Sequence, residues 1–288
     1  MTASAPYQAV ILAAGRGSRL SEETTARPKA LLPIGPRSPD DAAEISFLRR
    51  QVETLRALGV EQVVVVIGYL GEAISTEVSS WPSSVELVIN PTQDIRTSGS
   101  LHSFQHAIRA PYGVLDGRYQ TLLMDADIVY HRDVLSCLVA APEESTLLVC
   151  DRHRTSNEEV LVYGTARRPR YLGKGLTPEL VDGTPCLGEA TGIVKFAPCD
   201  HAVARQTINW LLGNPDARED SLEYRGFGPA RRATEHEELT DRLMRSGRMR
   251  ALTFRGDELP FLEVDTAEEY RILRTELYPR LLAMEANS

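Results

Sequence analysis

Apolar residues run unbroken from Ala9 to Leu12 and then give way to Ala13, Ala14 and Gly15. This is the pattern of a buried strand that ends in a loop. A second apolar run spans Val63 to Ile67, and between the two Ile45, Leu48, Val52, Leu55 and Leu58 recur every three or four residues. That spacing predicts an amphipathic helix over 45–58, closed by Gly59, and the three elements together make a βαβ unit with parallel strands. Pro28, Pro33, Pro36 and Pro39 exclude a regular helix before about residue 43, and 35–41 reads as an exposed loop.

The same reading continues down the chain. A helix is expected over 72–78 and a strand over 85–89. The polar connection 90–99 leads into a helix capped by Ser98 or Ser100, whose free amides could receive an anion. The strand 119–124 runs directly into Asp125, Ala126 and Asp127, which places acidic groups at a carboxyl strand end, where open α/β sheets bind ligands. A helix over 133–140 and a strand over 146–150 follow. From 151 to 197 the chain is richer in Arg, Gly and Pro, with short β-like pieces at 160–165 and 192–196, and reads as an antiparallel extension over the site. Helices are expected over 202–212 and 235–244, strands over 249–254 and 261–264, and a last helix from 266 to about 282.

Composition narrows the class. With 42% hydrophobic and 25% charged residues, the 288-residue chain is an ordinary soluble globular protein. Its net charge of -8 argues against nucleic acid as a partner. Cys137, Cys150, Cys186 and Cys199 include no CxxC pair, so neither structural zinc nor a disulfide framework is suggested. No segment has the composition of a signal peptide or of a membrane span, and a cytoplasmic setting without a membrane partner is expected. A homo-oligomer remains open.

The candidate chemistry starts at LAAGRGSRL. Gly15 and Gly17 allow close backbone approach, and Arg19 and Lys29 add positive charge, so the loop suits a polyanion such as a nucleoside triphosphate. It is not a P-loop, lacking Gly-Lys-Ser/Thr, and not a dinucleotide fingerprint, since Leu20 stands where a third glycine belongs. His102 and His106, four apart on an expected helix, have no evident third metal ligand.

LAAGRGSRL followed by RPKALLPI, with Lys29 fourteen residues after Gly15, resembles the signature of the nucleotidyltransferases that activate sugar phosphates, phosphocholine and phosphonates. GYL at 68–70, TSGSL, LLMDADIVY and LEVDTAEEY follow in the family's order. The likeness is greatest to the cytidylyltransferases for phosphocholine and 2-aminoethylphosphonate. It implies a Rossmann-like three-layer α/β/α fold with a mixed, mainly parallel sheet and a small antiparallel extension. One nucleotidyltransferase domain is expected, with its core at about 7–151 and 249–282 and an acceptor-binding extension at about 152–248.

By this resemblance Leu12, Ala13, Ala14, Gly15, Arg16, Gly17, Tyr69 and Ser98 lie on the nucleotide side. Lys29, Arg19 and Asp127 are the catalytic group, with Lys29 on the α-phosphate. Asp127 and Asp265 hold Mg²⁺, although each could instead cap a helix. Ser100, Asp125 and Glu189 face the acceptor, Asp125 being equally suited to structural support, and Glu237 lies in a stretch loosely like another family segment. The implied reaction moves CMP from CTP to a small phosphonate or phosphate monoester and releases pyrophosphate. A sugar 1-phosphate acceptor and a silent nucleotide sensor are the rivals. Residues 35–44 lengthen the connection after the signature and are expected to alter the cover over the nucleotide. One or two of Arg152, Arg154, Arg167, Arg168 and Arg170 could reach an anionic acceptor. Tyr163, Tyr171, Trp210, Tyr224 and Phe227 do not by themselves define an aromatic box for a quaternary ammonium.

Overall fold

Strands that are apolar on both faces must be covered on both sides, and this chain supplies helices for each. The computed structural model describes residues 5–92, 94, 97–152, 159–214 and 234–287; Arg154, Tyr224 and Phe227 lie outside them. In chain order β1 (Tyr7–Ala13) leads through a short helix, α1 (Ser21–Thr24), to a hairpin of β2 (Pro33–Ser38) and β3 (Asp41–Ser46). Next come α2 (Phe47–Ala57), β4 (Gln62–Ile67), α3 (Gly71–Ser79), β5 (Glu86–Ile89), α4 (Ser100–Arg109) and β6 (Gln120–Asp125). They are followed by β7 (Ile128–Tyr130), α5 (Arg132–Ala140) and β8 (Ser145–Cys150). The middle of the chain contributes β9 (Leu161–Thr165), β10 (Arg168–Gly173) and β11 (Cys186–Phe196), then α6 (His201–Gly213) and α7 (His236–Arg245). The last elements are β12 (Met249–Phe254), β13 (Phe261–Glu263), α8 (Ala267–Ile272), a π-helical turn at Leu273–Leu277, and α9 (Tyr278–Ala286).

The main sheet runs β10-β9-β11-β6-β1-β4-β5, with β8 paired to β11 and β12 to β8. Contacts of β1 with β4 and β6, of β4 with β5, and of β8 with β12 are parallel; β11 runs antiparallel to all its neighbours. The fold is thus the Rossmann-like mixed sheet that the sequence implies. Alternation sorts the side chains: Ala9, Ile11, Val63 and Val65 pack with α2, α3 and α5, while Val10, Val64 and Val66 pack with α4, α6 and α7. Among the described residues no helix is long and apolar enough to cross a membrane.

Helix α2 ends as its sequence requires. Gly59, at φ +79°, lets Val60 N–H reach the Leu55 carbonyl at 3.0 Å and Gly59 N–H reach Arg56 at 3.0 Å. Its start differs from expectation. Ser46 caps it, and Ile45 belongs to β3, because 33–46 is a hairpin and not a loop. The hairpin buries Ile34 and Ile45 with Phe47, Tyr270, Tyr278 and Leu281. At Gly35 a Cβ would stand 2.5 Å from the Tyr278 ring, so only glycine fits there. Pro33 and Pro36 are tolerated because β2 pairs with β3 alone. The segment expected to modify the nucleotide cover is therefore packed against the C-terminal helices. The single last helix is also interrupted: Pro279 cannot donate to residue 275, and a wide turn precedes it.

Lys195 on β11 is fully buried, and its Nζ donates to the carbonyls of Leu138, Ala141 and Pro142 at 2.8–3.1 Å, closing the end of α5. Replacing Lys195 with Met leaves those acceptors unpaired and is expected to cost about 2–3 kcal/mol. Equilibrium urea unfolding measures it; an unchanged midpoint would show that the carbonyls need no donor.

Candidate active site

The loop after β1 is shaped by Gly17. At φ +60° it accepts a conformation costly to other residues, and a Cβ there would meet Lys29 Cβ at 3.2 Å and Thr24 Cγ2 at 3.2 Å. A Cβ at Gly15 would meet nothing within 4 Å, so that position borders open space. Tyr69 joins the loop from the β4 side: its N–H donates to the Ala14 carbonyl at 3.2 Å, and Arg16 lies over its ring at 5.1 Å. Leu12 sits in β1 opposite Asp125 of β6. The structure therefore brings Leu12, Ala13, Ala14, Gly15, Arg16, Gly17 and Tyr69 to one end of the sheet. Ser98 is tied down differently, its hydroxyl accepting from Asn90 Nδ2 at 3.0 Å.

Two acidic turns meet this loop. Strand β13 pairs with β7, and Val264 N–H donates to the Asp127 carbonyl at 3.1 Å, which sets Asp127 and Asp265 side by side. Lys29 Nζ reaches both, at 2.6 Å to Asp127 Oδ2 and 3.2 Å to Asp265 Oδ1. Arg19 adds a contact of 2.9 Å to Asp265 Oδ2. Neither aspartate caps a helix: His131 caps α5, and Thr266 caps α8 in a box with Glu269, which also takes the Asp265 N–H. Burial pulls the Lys29 ammonium pKa down, but Asp127 and Asp265 together hold it above its ordinary value. Lys29 is thus a fixed positive charge at neutral pH and not a proton acceptor.

Glu263, which sequence reading left unassigned, joins Asp127 and Asp265 in a group of carboxylates. One oxygen each from Asp127, Glu263 and Asp265 lie within 4.8 Å of one another. Burial, then Asp127, Asp265 and Asp125, push the Glu263 carboxyl well above the usual range. Hard oxygen ligands at this spacing fit Mg²⁺ after a small closure, since its ligands lie about 2.1 Å from the ion. The signal was present in Glu263-Val264-Asp265 at the end of β13, where a two-residue spacing in a continuing extended chain would point both carboxylates to one side.

Asp125 does not join that group. Both its oxygens face His236 Nε2, at 3.1 and 3.3 Å. Burial raises the Asp125 carboxyl to about 6 against the pull of His236. Burial opposes charge on His236 too, yet Glu237 and Asp125 lift it to about 10. His236 was invisible in sequence because its partner is 111 residues away. The amides expected to receive an anion at the start of α4 are engaged within the chain. Ser100 N–H donates to Glu235 Oε2 at 2.8 Å, Leu101 N–H to the Thr234 carbonyl at 3.2 Å and Gly99 N–H to His102 Nδ1 at 3.2 Å.

Beside the carboxylates lies a cavity of about 670 Å³, whose walls include Arg19, Asp125, Glu189, His236, Glu237 and Glu263. Arg152 reaches it, whereas Arg167, Arg168 and Arg170 are exposed elsewhere. Among the described residues Phe261 is the one phenyl, phenol or indole ring in its wall. Tyr171 bonds Asp182, Tyr163 faces the Leu176 carbonyl, and Trp210 stacks with Arg242.

Residues 9–178 match the MobA-like NTP transferase domain family. The chain belongs to that family. Over 144 residues it is 35% identical to the CMP-5'-(3-aminopropyl)phosphonate synthase of Streptomyces rubellomurinus, covering 49% of this chain and 20% of that protein. Over 150 residues it is 29% identical to the choline-phosphate cytidylyltransferase of Haemophilus influenzae, covering 52% and 55%. The chain thus spans about half the length, or less, of these relatives. In fold it is similar to the CTP:phosphocholine cytidylyltransferase of Streptococcus pneumoniae, with a TM-score of 0.64, 19% identity and coverage of 93% and 98%. The inositol-1-phosphate CTP transferase of T. maritima gives 0.61 at 17% identity, covering 97% of this chain and 96% of that one.

Removing the ammonium leaves Asp127, Glu263 and Asp265 facing one another. Lys29→Met is expected to lose roughly 2–3 kcal/mol, discounted for the partial exposure of both aspartates. MgCl₂ should raise its melting temperature more than that of the wild type, and EDTA should abolish the gain. A melting temperature indifferent to Mg²⁺ in both proteins would contradict a cation site.

Proposed function

We propose that the protein is a Mg²⁺-dependent cytidylyltransferase that transfers CMP from CTP to a small phosphonate or phosphate monoester. The observation that carries this reading is the convergence of Lys29 on Asp127 and Asp265, beside an open glycine loop. The named activities of the two relatives, a CMP-phosphonate synthase and a choline-phosphate cytidylyltransferase, support the nucleotide and the acceptor class.

In this reading the backbone of Ala13, Ala14 and Gly15 meets the base and ribose, and Gly17 and Arg19 hold the triphosphate. An oxygen of the acceptor attacks the α-phosphorus in line. The bond from that phosphorus to the bridging oxygen breaks, and its electron pair leaves with pyrophosphate. The nucleophile is already an anion near neutral pH, so no general base is needed; alignment and charge neutralisation drive the step. Lys29 supplies a fixed positive charge for the charge that builds on the α-phosphate. Mg²⁺ held by Asp127 and Asp265, with Glu263 beside them, would draw charge from phosphate oxygens. The acceptor occupies the cavity lined by Glu189 and His236 on one side and by Arg19 and Glu263 on the other.

Pyrophosphate release tests the reading, using each nucleoside triphosphate with 2-aminoethylphosphonate, 2-hydroxyethylphosphonate, phosphonoformate, phosphocholine or glucose 1-phosphate. Turnover should be fastest with CTP and a phosphonate. Turnover confined to glucose 1-phosphate would contradict it, and nucleotide binding without turnover would favour a sensor. Lys29→Ala and Asp127→Asn should each lower kcat by about 100-fold or more with circular dichroism unchanged; near wild-type rates in both would refute the mechanism.

A further inference from the structure

The acceptor cavity and the acidic turn are joined by a link that crosses the molecule. At its outer end α4 and α7 meet N-terminus to N-terminus and cap each other. Ser100 Oγ accepts from His236 N–H at 2.7 Å, while Glu235 and Thr234 accept from Ser100 and Leu101. The contact is close: a Cβ at Gly99 would stand 2.4 Å from the Thr234 carbonyl oxygen. His236 is thereby placed at the first position of α7, where its ring points inward to Asp125 and is nearly excluded from solvent.

The inner end is equally constrained. A Cβ at Gly192, at φ +69°, would lie 2.4 Å from Asp125 Oδ2, so the bare backbone of β11 leaves room for that carboxylate. Gln51 Nε2 donates to the Asp125 carbonyl at 3.0 Å and the Ile128 carbonyl at 3.2 Å, clamping the turn that carries Asp127. Asp125, His236 and Glu237 all line the cavity, so one wall of the acceptor space and the turn bearing Asp127 share the His236–Asp125 contact. A carboxylate with both oxygens turned to an imidazole at the first position of α7 is well placed to hold that helix.

We propose that Ser100 and His236 are positioning residues for the transfer, setting the α7 wall of the acceptor cavity in register with the Asp127 turn through Asp125. The proposal rests on the cytidylyltransferase reading and assigns Ser100 a role at the helix junction in place of direct acceptor contact. A link of this kind affects where the acceptor sits more than how CTP is held, because the glycine loop and Lys29 lie outside it.

Steady-state kinetics of Ser100→Ala, Ser100→Thr, His236→Gln and the Ser100→Ala/His236→Gln double variant test this, with CTP and the best acceptor of the panel. Ser100→Ala and His236→Gln should each raise the acceptor KM at least tenfold while the CTP KM stays within twofold. Ser100→Thr, which keeps the hydroxyl, should recover to within threefold of wild type. The double variant should be no worse than the poorer single one, since both act on one link. Lowered urea midpoints with an unchanged acceptor KM would reduce the link to a structural contact and overturn the proposal, as would effects that multiply in the double variant. Ser100→Ala decides the matter if His236→Gln does not fold. A wild-type protein without turnover on the whole panel would overturn the transfer reading and this role with it; active variants with an unaltered acceptor KM would overturn this role alone.

Discussion

One ammonium group, that of Lys29, allows carboxylates from distant parts of the chain to stand together. Two like charges within 4.8 Å of each other repel by on the order of 3 kcal/mol at an effective dielectric of about 20, which is why Asp127 and Asp265 need a cation between them and why the Glu263 carboxyl beside them is pushed well above the usual range. Lys29, reaching Asp127 and Asp265 at once, offsets much of that repulsion. The arrangement demands that β1, β6 and β13 all end at one place. The parallel pairing of β1 with β6 and the antiparallel pairing of β13 with β7 bring this about.

Much of the glycine loop and the Asp127 turn was legible in the sequence, because their residues sit within local patterns. A buried apolar run followed by small residues marked β1 and its loop, and an acidic pair at the end of an apolar run marked the Asp127 turn. The helix closure at Gly59 was legible for the same reason: a left-handed residue and the carbonyls it frees lie within five positions. The hairpin at 33–46 was not. Its three prolines and glycine read as loop, and the residues that give it a core, Tyr270 and Tyr278, come more than 200 positions later.

The cavity wall formed by α7 was least legible, and the reason is physical. TSGS announced a helix N-terminus correctly, but what occupies that terminus depends on tertiary contact. In place of an anion, residues 234–236 supply the acceptors. Asp125 likewise looked equally suited to ligation or support until His236, from the far end of the extension, was seen to claim both its oxygens. Glu189 and Glu237 share the cavity wall; for them only the family resemblance, and no pattern of their own residues, pointed there.

If Lys29 and the carboxylates serve attack at the α-phosphorus, the fate of the acceptor oxygen is determined. Phosphorus NMR of a reaction with CTP, Mg²⁺ and 2-aminoethylphosphonate carrying ¹⁸O in its phosphonate group follows it most directly. The account predicts two mutually coupled phosphorus resonances from a CMP–phosphonate anhydride, with ¹⁸O retained in the bridge and unlabelled pyrophosphate formed in equal amount. Label in pyrophosphate, or orthophosphate released with no anhydride formed, would contradict it.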